Sequence, residues 1–255
     1  MVDEKNSRNV SGAGAEEDEA CPAQEVWDAL RDNRFTLTLE PVSSVDDANN
    51  VLYHECFAVL IDAQGVSHRA GSVVPALREA GLIRLFDRYV ARSAIRLLKS
   101  EPQLRLGVNL SGFSAVPDVL WTAAFLDLAQ RPDVARRLVV EITESEPLRT
   151  GDARLFGRQV RALGCRLAID DLGAGHSFDN LDEFEQIDIV KIDRSILVGA
   201  RAAQGETRLK QLVSLASHVA TQVVVEGVET EADVAVVRAA GATWMQGRLL
   251  TAAQH

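Results

Sequence analysis

Residues 165–194 read CRLAIDDLGAGHSFDNLDEFEQIDIVKIDR. A short apolar run leads into two adjacent carboxylates, Asp170 and Asp171, and a glycine-bearing turn follows them. A second apolar run at 187–192 carries Lys191. A strand, an acidic pair, a flexible loop and a strand with a lysine form the order expected where barrel strands end at an active site. Taken alone, the stretch equally fits a solvated loop that opens on two aspartates, so the rest of the chain decides.

Around this stretch, short apolar segments alternate with amphipathic ones. We predict strands at 35–39, 52–61, 104–110, 138–142, 166–169, 189–192, 222–226 and 243–245. We predict helices at 25–32, 75–99 (with a break near Gly81), 119–130, 153–163, 179–184, 207–220 and 231–240. Apolar strands separated by helices are typical of parallel strands buried on both faces, whereas the first two strands, joined by a short turn, should pair antiparallel.

About eight strands in this order predict an α/β fold, a modified (β/α)8 TIM-type barrel with an antiparallel first strand. We assign residues 24–255 to this barrel. Residues 1–23 are small, polar and acidic with no apolar period, and we predict that they form a disordered acidic tail.

Composition and charge narrow the class of protein. The length of 255 residues is ample for one such barrel. The net charge of -10 argues against a DNA or RNA polymer as partner. No apolar run approaches the ~20 residues of a membrane span, and no signal-peptide core is evident, so we expect a cytoplasmic protein with no membrane association. Three scattered cysteines predict neither a disulfide framework nor a zinc site.

Polar side chains stand at or near the carboxyl end of one predicted strand after another, and the second strand contains one within it. They are Glu55, Asn109, Glu141, Asp170, Asp171, Lys191, Glu226 and Gln246. In a barrel these ends meet on one side, where crowded carboxylates repel each other unless they are protonated or bind cations. Oxygen ligands of this kind suit Mg2+ or Mn2+, and two such ions about 3.5–4 Å apart would clamp a phosphate diester and activate a water. A lysine beside that water could offset charge that develops on the phosphate.

Seven short motifs carry a resemblance to a known family. They are ECF, VNLS, EITES, DDLGAG, KIDR, VVEGVET and QG. In this order and spacing the chain resembles the EAL domain family from about residue 35 to residue 250, with ECF where the family has its name-giving EAL. These are bacterial phosphodiesterases that cleave cyclic di-GMP to linear pGpG with Mg2+ or Mn2+. Their fold is a modified (β/α)8 barrel with an antiparallel first strand, and the resemblance implies a hydrolase of second-messenger signalling that forms a homodimer.

The resemblance also implies the roles of the metal ligands. Glu55, Asn109, Glu141 and Asp170 match the ligands of the first ion. Asp170 further matches the ligand that bridges to the second ion, which Asp171 binds.

The remaining site residues match groups that act around the metals. Lys191 matches the lysine that positions the nucleophilic water, and Glu226 matches a ligand or a proton acceptor that acts through water. Gln246 matches a glutamine that lines the substrate site. Glu144 matches a glutamate that holds the loop after Asp171 in shape, and that loop is also a dimer contact in the family.

Four departures from the family pattern bear on turnover. The arginine that pairs with substrate phosphate four residues after the first glutamate is replaced by Val59, which cannot make a charge-assisted bond worth about 1.5–3 kcal/mol. Cys56 and Phe57 replace alanine and leucine, and Glu40 replaces a glutamine where a guanine edge would be read. The loop after the two aspartates differs at Leu172, Ala174, His176 and Phe178.

Three functions therefore compete. The complete metal set favours a metal-dependent cyclic di-GMP phosphodiesterase. The departures fit instead a receptor that binds cyclic di-GMP without cleaving it, or a protein-interaction module. No GGDEF-like signature is present, so we expect no attached cyclase and expect regulation through a protein partner, expression or the oligomer.

Other conspicuous residues are assigned to packing or to solvent. Cys56 and Cys165 are expected to be buried apolar fillers, and Trp121 and Phe125 to belong to the core. The arginines at a four-residue spacing predict a solvated helix face; they are Arg84, Arg88, Arg92 and Arg96.

Overall fold

A computed structural model describes residues 23–143, 148–149, 151–174, 178–201 and 205–252. The strands are β1 Phe35–Ser44, β2 Val51–Ile61, β3 Ser67–Arg69, β4 Leu106–Leu110, β5 Leu138–Thr143, β6 Arg166–Leu172, β7 Ile187–Ile192, β8 Ala220–Val225 and β9 Trp244–Gln246. The helices are α1 Ala23–Arg31, α2 Ala70–Glu79, α3 Ile83–Ser100, α4 Val119–Ala129, α5 Pro132–Ala135, α6 Asp152–Ala162, α7 Arg194–Ala200, α8 Glu206–Val219, α9 Glu231–Ala240 and α10 Arg248–Ala252. Short 3-10 turns cover Gly112–Ser114 and Phe178–Glu183. None of the helices in these ranges has the length and apolar content that crossing a bilayer requires.

Eight of these strands close into a barrel. They follow one another in the ring as β1, β9, β8, β7, β6, β5, β4 and β2, and β2 pairs again with β1. β1 runs antiparallel to both of its neighbours, and the other pairs of the ring are parallel. The predicted α/β barrel with an antiparallel first strand is therefore confirmed. β3 lies outside the ring and pairs antiparallel with β2.

The outer face of the barrel packs on the helices. Val108 of β4, Val140 of β5 and Val190 of β7 point into one large apolar core, which also contains Leu98 of α3 and Phe156 of α6. Because the inner face of the same strands is also filled, the strands read as continuous apolar runs in the sequence. This explains why their positions were predictable.

The inner face consists of two layers with opposite chemistry. The inner apolar layer is formed by Val42, Tyr53, Val139, Ala168, Ile189, Val224 and Trp244. Two residues further along each parallel strand, the same face carries the rim layer, which is formed by Glu55, Asn109, Glu141, Asp170, Lys191, Glu226 and Gln246. In the antiparallel β1 the order is reversed, so Glu40, which lies opposite Glu55 of the rim layer, precedes Val42. Side chains two apart on a strand share a face, and the two layers are therefore about 6.6 Å apart.

Several elements differ from the sequence prediction. The sequence did not predict β3 and α7. β3 has only three residues, all polar, and α7 has only seven, so neither is long enough to show a periodic apolar pattern. α2 begins at Ala70 and contains Pro75 in its interior, whereas the sequence placed a helix start at that proline. Burial of Val73 and Leu77 against the barrel favours the longer helix. The strand predicted from residue 104 begins at Leu106.

The predicted solvated arginine face of α3 is wrong at Arg88. Its side chain is buried, its guanidinium lies 4.5 Å from the centre of the Trp121 ring, and it pairs with Asp118 at 2.9 Å. Arg84 also pairs with Asp118. Trp121 stacks on Phe125 within the core, as expected.

Candidate active site

Lys191 lies at the centre of the rim layer with its ammonium group surrounded by carboxylates. The side chain is fully buried in the barrel, on β7. Its Nζ lies 2.7 Å from Glu55, 3.0 Å from Glu141, 3.3 Å from Asp170 and 2.7 Å from Glu226. These partners come from β2, β5, β6 and the end of β8, so residues far apart in the sequence converge as predicted.

Glu55 is the carboxylate that the protein itself stabilises in the charged form. Lys191 Nζ and Gln246 Nε2 both donate to its Oε2 at 2.7 Å, and Asn109 Nδ2 donates to its Oε1. Burial alone would raise the pKa of Glu55, but the Lys191 charge and these hydrogen bonds together lower it below the usual value. Its position is therefore fixed before any ligand binds.

The other buried carboxylates are held less favourably. Burial, with the repulsion of neighbouring carboxylates, raises the pKa of Glu141 to about 8 and that of Asp170 to about 7, against the opposing effect of Lys191. Burial and the nearby Asp170 raise the pKa of Glu226 well above its usual value. One ammonium group does not balance this many acids, and the barrel end retains an excess of negative charge.

A β-bulge places the two adjacent aspartates. The pairing of β6 with β7 shifts between Ile169 and Leu172, and Asp171 has a left-handed backbone with φ of 63°. In a regular strand, neighbouring side chains leave on opposite faces. The bulge re-aims the second aspartate, so that oxygen atoms of Asp170, Asp171 and Glu226 lie within 4.8 Å of one another. The two-residue alternation of a regular strand therefore does not describe this step of β6.

Two groups of carboxylates have the spacing of metal ligands, and they share one residue. Glu55, Glu141 and Asp170 form the first group; Asp170, Asp171 and Glu226 form the second. The first group contains the carboxylates that the resemblance matches to the first ion, and Asp170 is the shared position. In the second group Asp170 and Asp171 match the second ion, and they are joined by Glu226, which the resemblance gives as a ligand or a proton acceptor.

Unpartnered oxygens in the site fit a hard cation. Asn109 Oδ1, both carboxylate oxygens of Glu141 and Gln246 Oε1 are buried and have no hydrogen-bond partner among the described residues. Glu141 Oε2 is close to Lys191 Nζ, but not in hydrogen-bond geometry. Buried oxygens without donors are costly, and carboxylate and amide oxygens are the preferred ligands of Mg2+ and Mn2+. The donor set present therefore fits such ions.

Sequence reasoning missed two residues that shape the site. A Cβ atom on Gly107 would lie 1.9 Å from Glu141 Oε1 and 2.5 Å from the Tyr53 ring, so only glycine leaves room for both side chains. Tyr53 is fully buried two residues before Glu55 and forms part of the floor beneath the acids. Their spacing in the sequence could have identified them, because Gly107 lies two residues before Asn109 and Tyr53 two residues before Glu55.

Several sequence expectations fall outside the site or outside the described ranges. Glu144, His176 and residues 1–22 of the predicted tail lie outside the described residues, whereas Ala23, which was placed in that tail, is the first residue of α1. Val59 is 9% exposed, and Glu40 lies opposite Glu55 in the pairing of β1 with β2. Cys56 and Cys165 are buried, and burial raises the pKa of the Cys165 thiol to about 12, as expected for apolar fillers.

Comparisons with known proteins identify the family. The family model described as "EAL domain" matches residues 23–253. Cyclic di-GMP phosphodiesterase PdeF of Escherichia coli K12 is 28% identical over 234 residues, which are 87% of this chain and 30% of that protein. Cyclic di-GMP phosphodiesterase NbdA of Pseudomonas aeruginosa is 29% identical over 244 residues, 89% of this chain and again 30% of that protein. The chain thus spans about a third of the length of these relatives.

A solved structure agrees with both fold and family. The EAL domain of FimX from Pseudomonas aeruginosa, solved bound to cyclic di-GMP, superposes with a TM-score of 0.71 at 26% identity. The superposition covers 89% of this chain and 93% of that one. With a barrel of the same build and a family match over almost its whole described length, the chain belongs to the EAL domain family.

Proposed function

We propose that this chain hydrolyses cyclic di-GMP to linear pGpG with Mg2+ or Mn2+ as cofactor. The observation that carries the proposal is the pair of carboxylate groups that share Asp170 beside the buried Lys191. Two relatives named as cyclic di-GMP phosphodiesterases and a neighbour solved with cyclic di-GMP point to the same substrate.

The charge of the site suits two divalent cations. Five carboxylates in the two groups and the single ammonium of Lys191 leave four negative charges when all groups are ionised. Two divalent ions supply four positive charges. Glu55, Asn109, Glu141 and Asp170 would hold one ion and Asp170 and Asp171 the other. When bound, such ions supply an activated water and neutralise charge at the phosphate.

The protein's own residues orient this chemistry. In the reaction, water adds to phosphorus, the P–O3′ bond breaks, and a proton reaches the leaving 3′ oxygen. Lys191 positions the water and offsets the charge that develops on the phosphate. Glu226 has the most exposed side chain of the four carboxylates around Lys191, at 18%, so it is the acid that can exchange a proton with water. Gln246 holds Glu55 through its Nε2, and we assign it to the substrate site because it matches the glutamine that lines that site in the family.

A second function has a specific observation in its favour. Val59 is apolar and almost fully buried, so that position offers no cation to a phosphate. A protein that binds cyclic di-GMP without cleaving it, as a receptor or a protein-interaction module, would also keep the rim layer. We further propose a homodimer and a cytoplasmic location, with regulation by a protein partner, on the strength of the family resemblance.

The direct test is incubation of purified protein with cyclic di-GMP and Mg2+ or Mn2+, followed by chromatography. We expect pGpG to form, and we expect EDTA or Glu55→Gln to abolish it. Glu79→Gln removes an exposed carboxylate from α2 and serves as the matched control, with unchanged turnover.

Two results would contradict the enzyme. Product that survives both EDTA and Glu55→Gln would come from another source. Calorimetric binding of cyclic di-GMP with no product after prolonged incubation would transfer the assignment to the receptor. Light scattering of the same sample reports whether the protein is a dimer.

A further inference from the structure

The hairpin of β2 and β3 brings an arginine to the position opposite Val59. β3 pairs antiparallel with β2, and the Cα partner of Val59 is Arg69. Directly opposed residues of an antiparallel pair point to the same face of the sheet. Val59 lies four residues after Glu55 on one strand, so Arg69 shares the face that carries the rim layer.

The guanidinium of Arg69 lies across β2 towards the site. Its Nη1 is 3.9 Å from Oε1 of Glu40, which belongs to β1. β1 and β3 flank β2 on opposite sides, so this ion pair spans the strand. Glu40 is in turn the Cα partner of Glu55. The guanidinium of Arg69 therefore lies over the segment of β2 between Glu55, a predicted metal ligand, and Val59.

The arginine can exchange its present partner for a ligand. Its side chain is 73% exposed, and that of Glu40 is 28% exposed. Long, solvent-accessible ion pairs contribute little to stability. A phosphate that offers two oxygens to the planar guanidinium forms a shorter, bidentate contact. Replacement of Glu40 by a phosphate is thus favourable.

The backbone that carries Arg69 is fixed in advance. Asp62 Oδ1 accepts hydrogen bonds from the amides of Gln64 at 2.9 Å and Val66 at 2.7 Å. Its Oδ2 lies 2.8 Å from His68 Nε2, on the residue before Arg69. These contacts tie the turn to the start of β3, so the backbone at Arg69 does not need to be ordered when a ligand arrives.

We propose that Arg69 binds a phosphate of the cyclic dinucleotide and supplies, from the neighbouring strand, the cation that Val59 does not. The inference rests on the proposed function, since it concerns the same ligand. Glu40 holds the guanidinium over β2 until the ligand binds. The two departures at positions 40 and 59 are then parts of one arrangement.

The test is calorimetric binding of a hydrolysis-resistant bis-phosphorothioate analogue of cyclic di-GMP in the presence of Mg2+. We expect Arg69→Ala to raise the Kd about tenfold to a hundredfold, the loss of one charge-assisted contact. Binding by this variant should also depend less on salt concentration. Arg92→Ala removes an exposed arginine from α3 and changes the net charge equally, so its Kd should stay that of the wild type.

A second-site variant separates binding from folding. Arg69→Ala combined with Val59→Arg should recover most of the lost affinity, because it returns the cation to the same face of β2. A structural role of Arg69 at the start of α2 would not be rescued in this way. Wild-type binding with an unchanged Kd in Arg69→Ala, or a loss that Val59→Arg does not repair, overturns the role of Arg69 alone. No binding by the wild type overturns the proposed function as well.

Discussion

The inner apolar layer and the rim layer occupy the same strands, two residues apart, yet they do opposite things for the protein. The inner apolar layer packs the side chains of Val139 and Ile189 against the ring of Tyr53, whose hydroxyl is a buried polar group without a hydrogen-bond partner in the described residues. The rim layer buries Lys191 and four carboxylates around it. One layer gains free energy from burial, whereas the other gives it up by desolvating charge.

The contrast shows how a barrel carries a costly site. Strands that are apolar on their outer face and in their lower interior are stable enough to hold crowded acids at one end. We therefore expect the rim layer to be sensitive to changes of charge and to bound ions. We expect the inner apolar layer to be sensitive to changes of side-chain volume. Four predictions examine that division, in order of decreasing effect.

Removal of the central cation should have the largest effect. Lys191→Met leaves the four surrounding carboxylates uncompensated, so we expect the metal-free protein to lose about 3–5 kcal/mol of unfolding free energy in urea. Hydrolysis should fall at least about a hundredfold. Lys210→Met on the exposed face of α8 is the control. Equal stability of the two variants would mean that Lys191 does not balance the rim layer.

A rise in pH should lower the stability of the metal-free protein, because it adds negative charge to the rim layer. Burial raises the pKa of Glu141 from 4.5 to about 8 and that of Asp170 to about 7. Between about pH 4.5 and pH 8 the folded, metal-free protein then holds more protons than the unfolded chain, so its stability falls as the pH rises through this window.

Thermal unfolding in EDTA at pH 5.5 and pH 8 measures this effect. Mg2+ or Mn2+ should flatten the dependence, because a bound ion stabilises the ionised acids. A metal-free protein that is more stable at pH 8 than at pH 5.5 would contradict the raised pKa values of Glu141 and Asp170.

The contact between the two layers should be sensitive to a single methyl group. In Gly107→Ala the new Cβ meets Glu141 Oε1 and the Tyr53 ring. We expect a loss of about 1–3 kcal/mol from overpacking, and metal affinity about tenfold weaker because Glu141 is displaced. Calorimetry with Mn2+ alone measures the second quantity. In Gly71→Ala on α2 the new Cβ meets none of the described atoms within 4 Å, so this variant should lose neither stability nor affinity.

A conservative change in the floor should have the smallest effect. Ile189→Val removes one methylene two residues before Lys191 and should cost about 0.5–1.5 kcal/mol in urea unfolding. Mn2+ affinity should stay unchanged, because no ligand atom moves. A marked change in affinity at this position would show that the two layers are not separable.

The sequence predicted most of the barrel because its strands are apolar on both faces and end in polar residues. The antiparallel β1 followed from the short turn before β2, and the convergence of Glu55, Glu141, Asp170 and Lys191 followed from the fold. Other features depend on tertiary contacts. β3 carries no apolar pattern, and Gly107 and Tyr53 matter only because of what lies across the barrel. The bulge at Asp171 cannot be read from a two-residue period.

The same bulge gives the site a spectroscopic reporter. The amide of Asp171 donates to Oδ1 of Asp170 at 3.0 Å, on the carboxylate that both ligand groups share. The chemical shift of an amide proton follows the charge on its acceptor. A single cross-peak in a 15N-resolved NMR spectrum of this protein would therefore register protonation and ion capture at Asp170, in the absence of substrate or turnover.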